Sequence, residues 1–202
     1  MRNTFATTLT KLVQRDKDIV LLSGDIGNKM FDSFKEVAPN NFYNCGIAEG
    51  SMMSLASGLG LSGLKPFVYT ITPFLTTRCL EQIKIGACYH KTPITIIGTG
   101  AGLSYAELGA THHSFEDISI LRSLPDIKIL VPSDSKELEY FLTNLKYDNG
   151  PTYIRIGKKG EPDLTNNCLK KGIGVANLLR EGSKYLLLGV GPIIREALDA
   201  AN

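Results

Sequence analysis

The chain has 202 residues, enough for one large domain or for one domain and a fragment. Hydrophobic residues make up 43%, sufficient for a real core, while charged residues make up 21% and the formal net charge is only +2. No Lys/Arg stripe, spanning apolar run or signal-peptide core is present, which argues against nucleic acid, membranes and secretion as partners or destinations.

From the N-terminus, the pattern predicts a helix over Asn3–Arg15, a strand over Ile19–Ser23 and a helix over Ala48–Leu61. A strand over Phe67–Ile71, a helix over Thr76–Cys88 and a strand over Ile94–Ile97 follow. Next come a helix over Ser114–Arg122, a strand over Ile127–Val131, a helix over Ser135–Asn144 and a strand over Tyr153–Ile156. The strands are apolar almost throughout, as strands covered on both faces should be. Their alternation with helices predicts an α/β fold: a parallel sheet with helices on both faces. Asp134-Ser135-Lys136-Glu137 reads as a helix start, with Asp134 as N-cap.

Beyond Gly157 the composition turns polar and turn-rich. The expected organisation is a domain over 1–157, a linker over 158–171, and the truncated start of a second α/β domain over 172–202. That last part carries a strand expected at Tyr185–Val190 and a helix beginning at Ile193. Cys45, Cys79, Cys88 and Cys168 show no CxxC spacing and read as reduced thiols of a cytoplasmic protein.

The residue richest in chemistry is Glu49, in Asn44-Cys45-Gly46-Ile47-Ala48-Glu49-Gly50. It heads a run of small and apolar residues with no positive neighbour in sequence. An acid in apolar surroundings tends to keep its proton, which suits a hydrogen bond to a basic heterocycle. The first turn of a helix is also a common place for a plain Glu. Phe74 follows the Phe67–Ile71 strand, at the edge where α/β sheets bind ligands, and could stack on a flat ring. Core packing is its plainer reading.

The loop Gly98-Thr99-Gly100-Ala101-Gly102 follows another strand and lets backbone approach a ligand, but fits neither nucleotide-binding glycine motif. His112 and His113 precede the expected N-cap Ser114. A helix N-terminus there would favour a neutral imidazole able to donate to a substrate oxygen. A metal pair is the weaker idea, because adjacent histidines point differently and further ligands lack spacing. Ser23-Gly24-Asp25-Ile26-Gly27 and Asn40-Asn41 imitate a diphosphate–magnesium motif, but Ile26 stands where Gly is needed and the interval is short. Asp25 reads as a strand-end turn residue.

Taken together, Gly46-Ile47-Ala48-Glu49, Phe67-Val68-Tyr69 with Phe74 and Arg78 through Gln82, and Gly109-Ala110-Thr111-His112-His113 with Val131-Pro132-Ser133-Asp134 resemble the pyrimidine-binding domain of thiamine-diphosphate enzymes, within the transketolase group. The resemblance covers roughly residues 3 to 157, and the tail from Gly172 resembles the start of that family's C-terminal domain. It implies that Glu49 hydrogen-bonds the ring nitrogen of the cofactor's aminopyrimidine and so activates the cofactor. A two-carbon ketol unit would then pass from a ketose or its phosphate to an aldose.

On the same basis Glu49, Phe74, Ile47 and Arg78 form the cofactor set, and His112, His113 and Gly102 the substrate set. Glu49 and His112 would be the catalytic pair. The family usually has an acid four residues before the histidine, where this chain has Leu108 with Glu107 beside it. His113 stands where Gln is common, so a different sugar or carbonyl donor is expected. The resemblance also implies a split enzyme, with two copies of each chain. A diphosphate-binding N-terminal subunit would hold Mg2+ and share thiamine diphosphate. The β subunit of a 2-oxo acid dehydrogenase, a deoxyxylulose-phosphate-synthase-like enzyme, and an inactive scaffold or regulatory subunit remain alternatives.

Overall fold

The structure, a computed structural model, describes residues 1–148, 150–165 and 172–202. In chain order it contains α1 (Arg2–Arg15), β1 (Ile19–Ser23), α2 (Asp32–Val37), β2 (Phe42–Asn44), α3 (Glu49–Leu61), β3 (Lys65–Ile71) and α4 (Thr72–Leu75). Then come α5 (Leu80–Gln82), which runs into a π-helix (Ile83–Tyr89), β4 (Thr95–Thr99), α6 (Asp117–Leu121), β5 (Lys128–Leu130), α7 (Ser135–Thr143), β6 (Thr152–Ile156) and α8 (Ile194–Ala200).

All six strands pair in parallel, in the order β2-β1-β3-β4-β6-β5. Period-two alternation sends successive residues to opposite faces. Leu21, Phe67, Tyr69, Ile97 and Ile154 therefore pack with Phe5 and Leu9 of α1, Phe34 of α2 and Leu138 of α7. Val20, Leu22, Val68, Ile96 and Tyr153 pack with Met52, Met53 and Ala56 of α3, Ile83 and Ala87 of the π-helix, and Leu121 of α6. The α/β sheet covered on both faces, expected from the continuous apolar strands, is the fold observed.

Several local expectations change. β2 escapes a search for apolar runs because it is a three-residue edge strand reading Phe-Tyr-Asn. The expected helix over Thr76–Cys88 is instead a turn over 76–79, then α5 and the π-helix. The expected helix from Ser114 begins only at Asp117 and has five residues. Ser114 instead pairs with Gly102 in an antiparallel bridge. Tyr185–Val190 is irregular, with Tyr185 90% and Leu188 81% exposed. No strand among the described residues pairs with it, and a strand without a ladder does not form. Much of the expected linker, 166–171, lies outside the described residues, and so does Cys168.

Other details follow the sequence reading. Asp134 caps α7, accepting from Lys136 N–H at 3.0 Å and Glu137 N–H at 2.8 Å. Its other oxygen accepts from the backbone of Leu164 and Thr165, both at 2.7 Å, so one carboxylate fastens the chain after β6 to the start of α7. Asp25, two residues after β1, has φ +57° and accepts from Asn44 Nδ2 at 2.9 Å, as a turn residue does. Cys45, Cys79 and Cys88 are free thiols. Among the described residues no helix is long and apolar enough to cross a membrane.

Candidate active site

Parallel strands place all their C-terminal ends on one edge, and the candidate residues gather there. Glu49 opens α3 just after β2, Phe74 lies in α4 directly after β3, and Gly102 and His112 lie in the loop after β4. The sheet order β2-β1-β3-β4 brings these loops side by side.

Glu49 is buried, at 3% exposure. No positive residue flanks Glu49 in sequence, but the fold supplies one. Arg78, distant in sequence, reaches back so that its Nη1–H donates to Glu49 Oε2 at 2.6 Å. A partner contributed by another loop leaves no mark on the residues flanking Glu49. The Arg78 side chain is 49% exposed, so the pair has one dry end and one wet end. The same guanidinium lies over the Phe74 ring, 4.6 Å from its centroid. Broken helical geometry makes this possible: Arg78 N–H donates to Pro73 C=O at 3.2 Å, a wider turn than an α-helix has. Next to Arg78, burial pushes the Cys79 thiol up to about 12, and the Glu49 charge adds to the rise.

The Phe74 ring also meets the His112 ring edge-on, with centroids 5.1 Å apart and planes at 72°. Glu49, Arg78, Phe74 and His112 thus form one continuous line of contacts. His112 does not sit at a helix N-terminus, because α6 starts five residues later and is short. Its Nδ1 lies 3.0 Å from Thr111 Oγ1, which orients the ring without a dipole. Gly102, with φ +65°, donates to Ser114 C=O at 2.8 Å and accepts from Ser114 N–H at 3.1 Å. Its role in this structure is to pin the His112 loop.

Two expected residues stand apart from the line. His113 turns away, with Nε2 3.3 Å from Ala106 C=O and its ring beside Phe115. Ile47, near Glu49 in sequence, projects into solvent at 80% exposure. Leu108 is half exposed, and the neighbouring Glu107 carboxylate is taken by Lys158 Nζ at 2.7 Å.

The sequence reading missed the support beneath the His112 loop. Asp117 is fully buried, and its Oδ2 accepts from Tyr153 O–H at 2.7 Å and Arg155 Nε–H at 2.8 Å. These residues come from α6 and β6, and no local motif links them. Thr77 Oγ1–H donates to Glu116 Oε1 at 3.0 Å, tying the Arg78 segment to the same loop. Gln82 Oε1 is buried without a hydrogen-bond partner among the described residues, and its amide nitrogen lies near Gly50, the residue after Glu49. Among the described residues no group of three or more His, Cys, Asp or Glu side chains could hold a metal ion.

Comparison with known proteins identifies the family and the fold. Residues 1–161 match the family model for the transketolase pyrimidine binding domain. The chain is 34% identical over 201 residues to an apulose-4-phosphate transketolase subunit of Phocaeicola vulgatus, covering 98% of this chain and 64% of that protein. It is 30% identical over 203 residues to the 6-deoxy-6-sulfo-D-fructose transketolase subunit SqwH of a Clostridium species, covering 100% of this chain and 63% of that one. It is also 32% identical over 204 residues to 1-deoxy-D-xylulose-5-phosphate synthase of Desulfotalea psychrophila, covering 98% of this chain and 31% of that enzyme.

Among solved structures, a split gene transketolase described as an inactive beta4 tetramer superposes with TM-score 0.88 and 31% identity over 99% of this chain and 65% of that one. Leishmania mexicana transketolase shares the fold, with TM-score 0.69 and 20% identity over 77% of this chain and 25% of that one. The chain spans under two thirds of the length of the two transketolase subunits that it matches. It belongs to the transketolase family, through the pyrimidine-binding domain that fills residues 1–161.

Proposed function

We propose that this chain is the pyrimidine-binding subunit of a thiamine-diphosphate-dependent, transketolase-like transferase that moves a two-carbon ketol unit from a ketose or its phosphate to an aldose. The observation that carries the reading is the burial of Glu49 at the edge of the sheet where ligands settle, joined to the Phe74 ring through the Arg78 guanidinium that touches both. A carboxyl group in such a place can share a proton with a ring nitrogen while Phe74 stacks against the ring. The donor set therefore fits an aminopyrimidine. When bound, thiamine diphosphate supplies the nucleophilic carbon and the electron sink for the transfer.

In this reading Glu49 holds the proton at the ring nitrogen. Phe74 and the exposed Ile47 flank the ring, and Arg78 lies at its rim. His112, oriented by Thr111, donates a hydrogen bond to a substrate oxygen. Burial at the base of the site excludes water from Glu49, and that strengthens its hydrogen bond. Gly102 and the Asp117–Arg155 pair fix the loop carrying His112.

A second chain would hold the diphosphate and Mg2+, with the cofactor lying across the joint surface. The subunit designations of the relatives support this division of labour. Two anchored ends act together through effective concentration, so the isolated chain should bind the cofactor weakly.

The identity to a 1-deoxy-D-xylulose-5-phosphate synthase keeps a second reading open, one that takes pyruvate as donor. The test is an assay of the chain assembled with its diphosphate-binding partner. Turnover of hydroxypyruvate or a ketose phosphate, but not of pyruvate, is expected. Preferential turnover of pyruvate would favour the synthase. Tight thiamine-diphosphate binding by the isolated chain in calorimetry would contradict the split site.

A further inference from the structure

The Arg78 guanidinium is a flat nitrogen donor that stacks on Phe74 at 4.6 Å and donates to Glu49 at 2.6 Å. Those are the two contacts that an aminopyrimidine would need from this chain. We propose that Arg78 is an internal stand-in for the ring. It occupies the pyrimidine site of the unloaded subunit, and the ring must displace it. The inference rests on the functional reading of Glu49 and Phe74 given above, and adds a self-occupied state to it.

Three features support displacement over permanent structure. The Arg78 side chain is 49% exposed, so an outward swing needs no core rearrangement. Its segment lies between the short helices α4 and α5, where backbone geometry is already interrupted. The two occupants also ask different things of Glu49. A guanidinium pairs with a carboxylate, whereas a ring nitrogen needs a shared proton. Arg78 and the ring therefore cannot both be satisfied at Glu49 Oε2. While it waits, the guanidinium gives the buried carboxylate a counter-charge, which a dry site otherwise lacks.

The test is binding of free aminopyrimidine, the ring without thiazolium and diphosphate, to the chain by ligand-detected NMR. Wild type, Arg78→Met and Arg78→Ala are compared. The Met variant keeps the aliphatic stem if Ala disturbs the fold. Removing a half-exposed competitor should tighten binding about three- to fivefold. Equal or weaker binding by both variants overturns the proposal. So does undetectable binding by all three chains, because an emptied site should then be open. Adding Glu49→Gln to Arg78→Met separates the two levels. Loss of the gain shows that the ring meets Glu49. A gain that survives contradicts the assigned role of Glu49 while leaving Arg78 as the occupant.

Discussion

The Phe74 and His112 rings meet edge to face at 5.1 Å, joining the loop after β3 to the loop after β4. His113, one residue on, points to Ala106 instead. The two histidines should therefore differ in effect. In the assembled enzyme, His112→Ala is expected to lower kcat by about 100-fold, the usual cost of losing a donor to a developing charge. His113→Ala should cost less than about tenfold on the same scale. Steady-state kinetics of both variants check this, and the reverse order would move the substrate site.

Buried Asp117 pairs under that loop with Arg155, whose side chain is 22% exposed, and Tyr153 bonds the same oxygen. Removing Asp117 takes the acceptor from both the buried Tyr153 hydroxyl and the mostly buried Arg155 guanidinium. Asp117→Ala is expected to lose about 3–5 kcal/mol of stability in urea unfolding. Burial, then the Asp117 charge, raise the Tyr153 hydroxyl well above its ordinary value. Its contribution to stability is therefore complete below the unfolded tyrosine value near pH ~10, and lost as pH rises toward the folded value. Spectroscopic alkaline titration should show Tyr153 ionising only as the protein unfolds.

The π-helix lies against α3 so closely that a Cβ on Gly86 would fall 2.9 Å from Ser57 Cβ and collide with Ser57 Oγ. Gly86→Ala should destabilise by about 1–3 kcal/mol through overpacking. Ser57→Gly in the same chain should recover much of that loss, although Gly alone costs something in α3. A double-mutant cycle by chemical denaturation reads the coupling, and simple additivity would refute the contact.

At Asp134, burial works to raise the carboxyl, but donors from Glu137, Leu164 and Thr165 outweigh it and hold it below the ordinary aspartate range. Its stabilisation is thus present above the unfolded value near pH ~3.9 and disappears as pH falls through the lowered folded value. Asp134→Ala should cost about 2–3 kcal/mol at neutral pH. It should also flatten this part of the acid limb, as measured by denaturation midpoints across pH. An unchanged acid limb would deny Asp134 its role as the clamp.

Legibility in the sequence followed the range of the interactions. β1, β3, β4 and β6 were readable because burial on both faces makes each a short apolar run. The α7 cap was readable because Asp134 and Glu137 act within one turn. β2 was not readable, since a polar edge strand is defined by its neighbour β1. The Glu49–Arg78 and Asp117–Arg155 pairs were equally hidden, because each is created by tertiary approach across 29 and 38 positions. Glu49, Phe74 and Arg78 could be named in advance, but the pairing of the Arg78 guanidinium with Glu49 could not. Tyr185–Val190 shows the opposite failure: strand propensity was present, but no strand among the described residues pairs with it.

The most direct measurement of the central claim is ketol transfer by the assembled enzyme carrying Glu49→Gln, with thermal unfolding followed in parallel. Gln keeps the shape but cannot hold the proton that the ring nitrogen needs. Activity is expected to fall by at least about 100-fold, the scale of a lost proton-transfer group, while the fold persists. Undiminished transfer by a folded Glu49→Gln enzyme would contradict the account.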